Sequence, residues 1–229
     1  MRTQPKPFLD ATRRDWQFAA FAWLLRHTGG IAKFADTTLV LPTPEHFPAS
    51  GMQGQAGVSA LFRRVRDHAG MADWPCSVEA ESAVEAGRHR GLPVLRYSEG
   101  HEPDALVATF ARELARLLVE TFDEPPPGGA PLHEPAIDVA AVFMGFGVFL
   151  ANSAIAGPRY ELNEGELAHA LAMFCLLREL DPRSIDAHLN PHLRKHVRLA
   201  TRDLARQREA FRRLRAEVPA LSADRALSG

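Results

Sequence analysis

Two neighbouring apolar stretches between Val107 and Asn152, each carrying one pair of like charges, constrain this chain more than any other feature. The first reads Val107-Ala-Thr-Phe-Ala-Arg112-Glu113-Leu-Ala-Arg116-Leu-Leu118. Leu106, Phe110, Leu114, Leu117 and Leu118 recur with a 3.6-residue period, which predicts a helix over 103–121. Ala108, Ala111, Ala115 and Val119 add a second apolar stripe. Only Thr109, Arg112, Glu113, Arg116 and Glu120 remain polar, so the helix should be buried on most sides, with one stripe facing water or a cleft.

After the turn Pro125-Pro126-Pro127-Gly128-Gly129 comes His133-Glu134-Pro135-Ala-Ile-Asp138 and then a charge-free run from Val139 to Ala151. Pro135 suits the first turn of a helix, here expected over 135–154. That charge-free run falls short of the roughly 20 residues a bilayer span needs, so a central core helix is the expectation.

Arg112 and Arg116 are four apart, as are Glu134 and Asp138. Each pair alone is unfavourable by about 0.2–0.5 kcal/mol, and a carboxylate on a buried helix needs a partner. Bringing the two pairs together satisfies both. The rival explanation is a solvated face on which Glu113 pairs with Arg116 and Arg116 with Glu120.

These residues carry a resemblance. Arg112-Glu113-Leu114-Ala115-Arg116 resembles the His-Glu-x-x-His signature of zincin metalloproteases with both histidines replaced by arginine. Glu134 and Asp138 are similar to the Glu-x-x-x-Asp that gives gluzincins a third ligand and a supporting acid. His133-Glu134-Pro135, Ile137-Asp138 and Phe146-Gly-Val-Phe-Leu-Ala-Asn-Ser153 resemble a bacterial zincin-like family, and the likeness extends from Phe47-Pro48 to the helix near Arg194. It implies an α+β, mostly helical fold: a minimal zincin with a small sheet beside the active-site helix. It also implies a single domain over 1–229, with 191–229 a long basic helix and a frayed tail.

The departure from that family governs the chemistry. Catalytic zinc takes neutral imidazole nitrogens, whereas arginine stays protonated and offers no lone pair. Two guanidinium groups carry the charge of the missing ion, and without a metal-bound water Glu113 has nothing to activate. The expectation is a protein without metal, cofactor or hydrolytic activity, with Arg112, Glu113, Arg116, Glu134 and Asp138 forming an ionic cluster. A metal-dependent hydrolase using other ligands, such as His133, stays open.

A second motif bears on partners. Gln55-x-x-Val58-x-x-Leu61-Phe62 has the spacing of peptides that bind the bacterial DNA sliding clamp, where a Gln amide meets the pocket mouth and the apolar trio fills it. The segment also resembles SocB-type toxins that act on that clamp. This implies a toxin-like block of replication, with the clamp and an antitoxin or adaptor as protein partners. Against it, the same trio is the core stripe of a helix ending near Gly70. The other binding alternative is a regulatory pseudo-protease that takes a peptide or protein at the former active-site cleft.

Along the rest of the chain, Asp10–His27 reads as a helix stopped by Gly29-Gly30, and Thr37–Leu41 as a short strand. Residues 49–56 read as an exposed, mobile stretch. Cys76–Glu81 and Pro93–Tyr97 read as two strands around a polar loop at Gly87–Gly91. Asn163-x-x-Glu166 opens a helix to about Leu180, and Asn190-Pro191 a long one to about Val218. Cys76 and Cys175 lack metal or redox spacing and read as core thiols. The set His188, His192, His196 has no accompanying acid and reads as surface.

Net charge is −1, so no global field steers the protein to nucleic acid or membrane. The last helix is nonetheless strongly basic, which a solvated face explains more simply than a phosphate track. The N-terminal residues have no apolar core of a signal peptide, so a cytoplasmic address is expected, and Gly, Pro, Ala and Arg usage suggests a bacterial source.

Overall fold

In a computed structural model of the chain, the residues described are 7–48, 54–80, 93–98, 100, 102–154 and 160–216. They form an α+β arrangement that is mostly helical, with one small parallel sheet.

Helix α1 (Ala11–His27) starts at Asp10, whose carboxylate accepts the Arg13 amide. Gly29 turns the chain in a left-handed conformation, and a five-residue helix, α2 (Gly30–Phe34), follows rather than a plain stop. Residues 37–41 are extended but form no strand. Part of their backbone is held by other elements: the Val40 amide donates to the Gly145 carbonyl (3.0 Å), and Arg178 donates to the Thr37 carbonyl and to that of Ala35 just before the segment.

Helix α3 (Gly54–His68) begins earlier than its apolar stripe, so Gly54–Ala56 are helical, not a mobile linker; residues 49–53 lie outside the described ones. Strands β1 (Ser77–Ala80) and β2 (Val94–Tyr97) pair in parallel, with Ser77 opposite Val94 and Ala80 opposite Tyr97. The expected loop at Gly87–Gly91 lies outside the described residues.

Helix α4 (Pro103–Val119) carries the two arginines and packs on α3, on β2 and on the central apolar segment. That segment is not one helix. It runs as α5 (His133–Ala141), a π-type stretch (Val142–Phe146) and α6 (Gly147–Ser153). The break is at Gly145, at φ 99°, where a Cβ would stand 2.0 Å from the Thr38 carbonyl oxygen. Only glycine permits both the left-handed turn and the approach of the extended 37–41 segment.

By length and composition Ala130–Ser153 passes as a membrane span of 24 residues, but 89 % of its most apolar window is buried inside the fold. A core helix meets the same criterion, and this segment does not indicate a membrane protein.

Helix α7 (Glu164–Leu177) opens with a full capping box between Asn163 and Glu166. A 3-10 turn (Pro182–His188) leads to α8 (Pro191–Leu204), which packs on α7. The long C-terminal helix of the sequence reading is two helices, α8 and α9 (Arg208–Ala216). The seam Leu193, Val197, Ala200, Leu204 is buried, but Gln207 and Arg208 bring no apolar side chain to carry it onward. The chain bends there, and Phe211 packs edge-on against Phe18 of α1. The expected tail after Pro219 lies outside the described residues.

The buried side chains form one continuous cluster, with Phe110, Leu114, Ile137, Phe146, Phe149 and Phe174 at its centre. Cys76 is half-buried and Cys175 buried, and both are free. Burial raises the Cys76 thiol pKa and pushes that of Cys175 up to about 12, so neither is set up as a thiolate.

Candidate functional site

On α4, Arg112 and Arg116 are one turn apart and project from the same face, because helical neighbours lie at i and i+4. On α5, Glu134 and Asp138 do the same, and the two helices pack directly. The four side chains meet.

Glu134 receives both arginines. Arg116 grips it with two hydrogen bonds, Nη1 to Oε1 at 2.5 Å and Nη2 to Oε2 at 2.8 Å. Arg112 Nη2 reaches the same Oε2 at 2.8 Å. Arg112 Nε in turn donates to Asp138 Oδ1 at 2.7 Å. The second Asp138 oxygen accepts the backbone amides of Glu161 and Leu162 at 2.8 and 3.0 Å. One fully buried carboxylate thus joins α4 to the chain entering α7. Glu113 lies outside this core of contacts, with Oε2 3.5 Å from Arg116 Nε.

The acids respond differently. Hydrogen bonds from Arg116, with help from Arg112, hold the Glu134 carboxyl down at about 2, although its side chain is 41 % exposed. Burial pushes Asp138 up, against the pull of Arg112 and the two amides. Burial works against the charge on Arg112, and Asp138 and Glu134 more than offset it. Of the solvated-face alternative, the Glu113–Arg116 pair is present at 3.5 Å, but the bidentate partner of Arg116 is Glu134 and not Glu120.

His133 sits beside Glu134, with Nδ1 3.9 Å from Oε1 and its side chain 36 % exposed. Among the described residues no group of three His, Cys, Asp or Glu side chains is arranged to hold a metal ion. Arg112 and Arg116, which face these acids from α4, end in guanidinium groups, which have no lone pair to give.

Of the two readings of the clamp-like motif, the core stripe of a helix describes its placement. Leu61 and Phe62 are in the core at 5 % and 3 % exposure, and Phe62 packs edge-on against Phe110. Val58 is half-buried. The Gln55 amide is already engaged: Tyr97 donates its hydroxyl proton to Oε1, and Nε2 faces the Val78 carbonyl at 3.5 Å. Gln55, Val58 and Leu61 line a cavity of about 290 Å³ together with Tyr97, Ser98 and Leu106. As folded, the motif walls a cavity and does not present a plug, because the i, i+3, i+4 stripe that resembles an anchor is the stripe α3 buries on α4.

His192 lies 3.3 Å from Glu164, and its ring meets that of His196, while His188 belongs to the 3-10 turn. Two groups escaped the sequence reading. The Glu161 and Leu162 amides hold Asp138, and backbone donors leave no signal in residue identity. Gln17, fully buried, bridges the His169 ring to the Glu166 carbonyl. A Gln on the apolar face of α1 was the available sign that a polar partner was needed.

Compared with protein-family models, with curated proteins and with solved structures, the chain has no significant match.

Proposed function

We propose that the protein is a non-catalytic binding protein on a scaffold that resembles a minimal zincin, in which Arg112 and Arg116 replace a catalytic ion. The observation that carries this reading is the closed guanidinium–carboxylate cluster: Glu134 and Asp138, the acids matching the gluzincin pattern, are engaged by the two arginines. Guanidinium charge compensates those acids as a divalent ion would, but it activates no water. The half-exposed rim of Glu134, Glu113 and His133 is then a contact surface for a peptide or protein.

Charge reversal tests that contact role. Affinity capture of proteins from a bacterial lysate should lose a specific partner when Arg116→Glu replaces the wild type. An unchanged set of captured proteins, with the variant folded, contradicts binding at the cluster.

The narrower proposal is that the partner is the DNA sliding clamp, reached through Gln55, Val58, Leu61 and Phe62. It requires α3 to release Leu61 and Phe62 from the core before docking. Titration of purified clamp should then show binding by the wild type and loss in Gln55→Ala with Phe62→Ala. Equal binding by both removes the clamp proposal and leaves the cluster proposal standing.

A further inference from the structure

Beyond the ionic cluster, the C-terminal helices carry the most uneven charge on the molecule. Residues 191–216 hold nine Lys and Arg against Asp203 and Glu209, although the whole chain is −1. Asp203 does not neutralise the surface, since it is buried and accepts the Phe8 amide. The remainder of the chain is therefore acidic, and the positive charge is segregated on α8 and α9.

Helical spacing sorts α8 into two opposite faces. Leu193, Val197, Ala200 and Leu204 are buried on the side packed against α7. Lys195, Arg198, Leu199 and Arg202 fall on the other side and are exposed, and Arg206 and Arg208 continue the exposed line through the bend into α9. Arg198 pairs with Asp186 at 2.5 Å. Lys195, Arg202, Arg206 and Arg208 have no ion pair among the described residues. A solvated face held for helix stability would pair its charges along the helix, as Glu209 does with Arg212 and Arg213.

We infer that the outer face of α8 and the start of α9 bind the phosphate backbone of a nucleic-acid duplex, without reading its sequence. Three features select this occupant from other anionic surfaces. The face is dominated by arginine, whose planar fork matches phosphate oxygens. Its apolar stripe is turned into the core, so nothing is left to enter a bilayer, as an interfacial helix must. Leu199 is the one exposed large hydrophobic side chain among the described residues, too little for the buried anchor of a protein partner. The face presents cations and no Asn beside them to pair with adenine, and a row of evenly exposed cations suits contact with the phosphate backbone.

The test is fluorescence anisotropy with labelled duplex DNA and duplex RNA of about 20 base pairs, from about 50 to about 200 mM salt. Wild-type protein should bind either duplex, with log K falling against log salt at a slope of about −3 to −4, as release of counterions by four cations requires. The variant Lys195→Gln, Arg202→Gln, Arg206→Gln, Arg208→Gln should lose at least about tenfold in affinity and most of that slope. All four side chains are exposed, and unchanged circular dichroism and melting establish that the variant folds; Lys195→Glu with Arg202→Glu serves as a smaller second change. No duplex binding at the lowest salt overturns the inference. So does an unchanged slope in the folded variants, or equally tight binding of polyglutamate or of anionic lipid vesicles by the wild type.

Discussion

At the scale of single residues, the two arginines of α4 are not equivalent. Among the described residues Arg112 is the sole side-chain cation on buried Asp138, whereas Arg116 serves the half-exposed Glu134, which Arg112 also reaches. Removing one partner of a buried ion pair leaves an uncompensated charge. Arg112→Ala should therefore cost about 3–5 kcal/mol, while Arg116→Ala, with solvent screening Glu134, should cost about 1 kcal/mol. Urea unfolding of the two variants checks this order, and Asp138→Asn added to Arg112→Ala should recover part of the loss. Acid has two separate effects. Glu134 ionises at about 2 in the fold against an ordinary 4.5, so its share of stability is complete above the higher value and fades only as pH falls toward the lower. Buried His169 is lowered to about 4 from 6.5, chiefly by burial, so the unfolded chain takes up its proton first. Stability should accordingly fall between about pH 6.5 and about pH 4, with His27 and His46 adding in the same direction. Melting temperature against pH measures it, and His169→Gln should shrink the slope in that window.

At the scale of elements, the central segment depends on one glycine. Gly145 combines a left-handed backbone with a Cβ position already occupied by the Thr38 carbonyl. Gly145→Ala should destabilise by about 2–5 kcal/mol, from strain and from displacement of the 37–41 segment, as thermal unfolding would read. Why this was hidden in the sequence is physical. The run from Val139 to Ala151 is apolar on all sides, so periodicity gives no phase at which to place a break. The same limit explains the extended stretch at Thr37–Leu41, whose β-branched residues suit a strand but whose hydrogen bonds go to a helix break and to Arg178. The starts of α1 and α7 were legible to the residue, because Asp10 and Asn163 cap them, whereas α7 ends at Leu177 and not near Leu180. The split between α8 and α9 was not legible, since no Gly or Pro marks it and the bend is held by tertiary contacts, Phe211 on Phe18 and Arg215 on Glu179 and the Leu176 carbonyl.

At the scale of the whole molecule, the ionic cluster was readable because it rests on a local rule. Like charges four apart on two apolar helices have few other ways to be satisfied. The motif at Gln55–Phe62 shows the opposite case: its spacing serves equally for an exposed anchor and a core stripe, and only packing against α4 separates them. We propose that Arg112 and Arg116 stand where two imidazoles would hold an ion, with Glu134 as the third ligand. The most direct test is the zinc content of purified wild-type protein and of Arg112→His with Arg116→His, measured by elemental analysis after equilibration with zinc and desalting. The wild type should retain no zinc and the double variant about one zinc per chain, abolished by adding Glu134→Ala. Stoichiometric zinc in the wild type, or none in a folded double variant, would contradict this proposal.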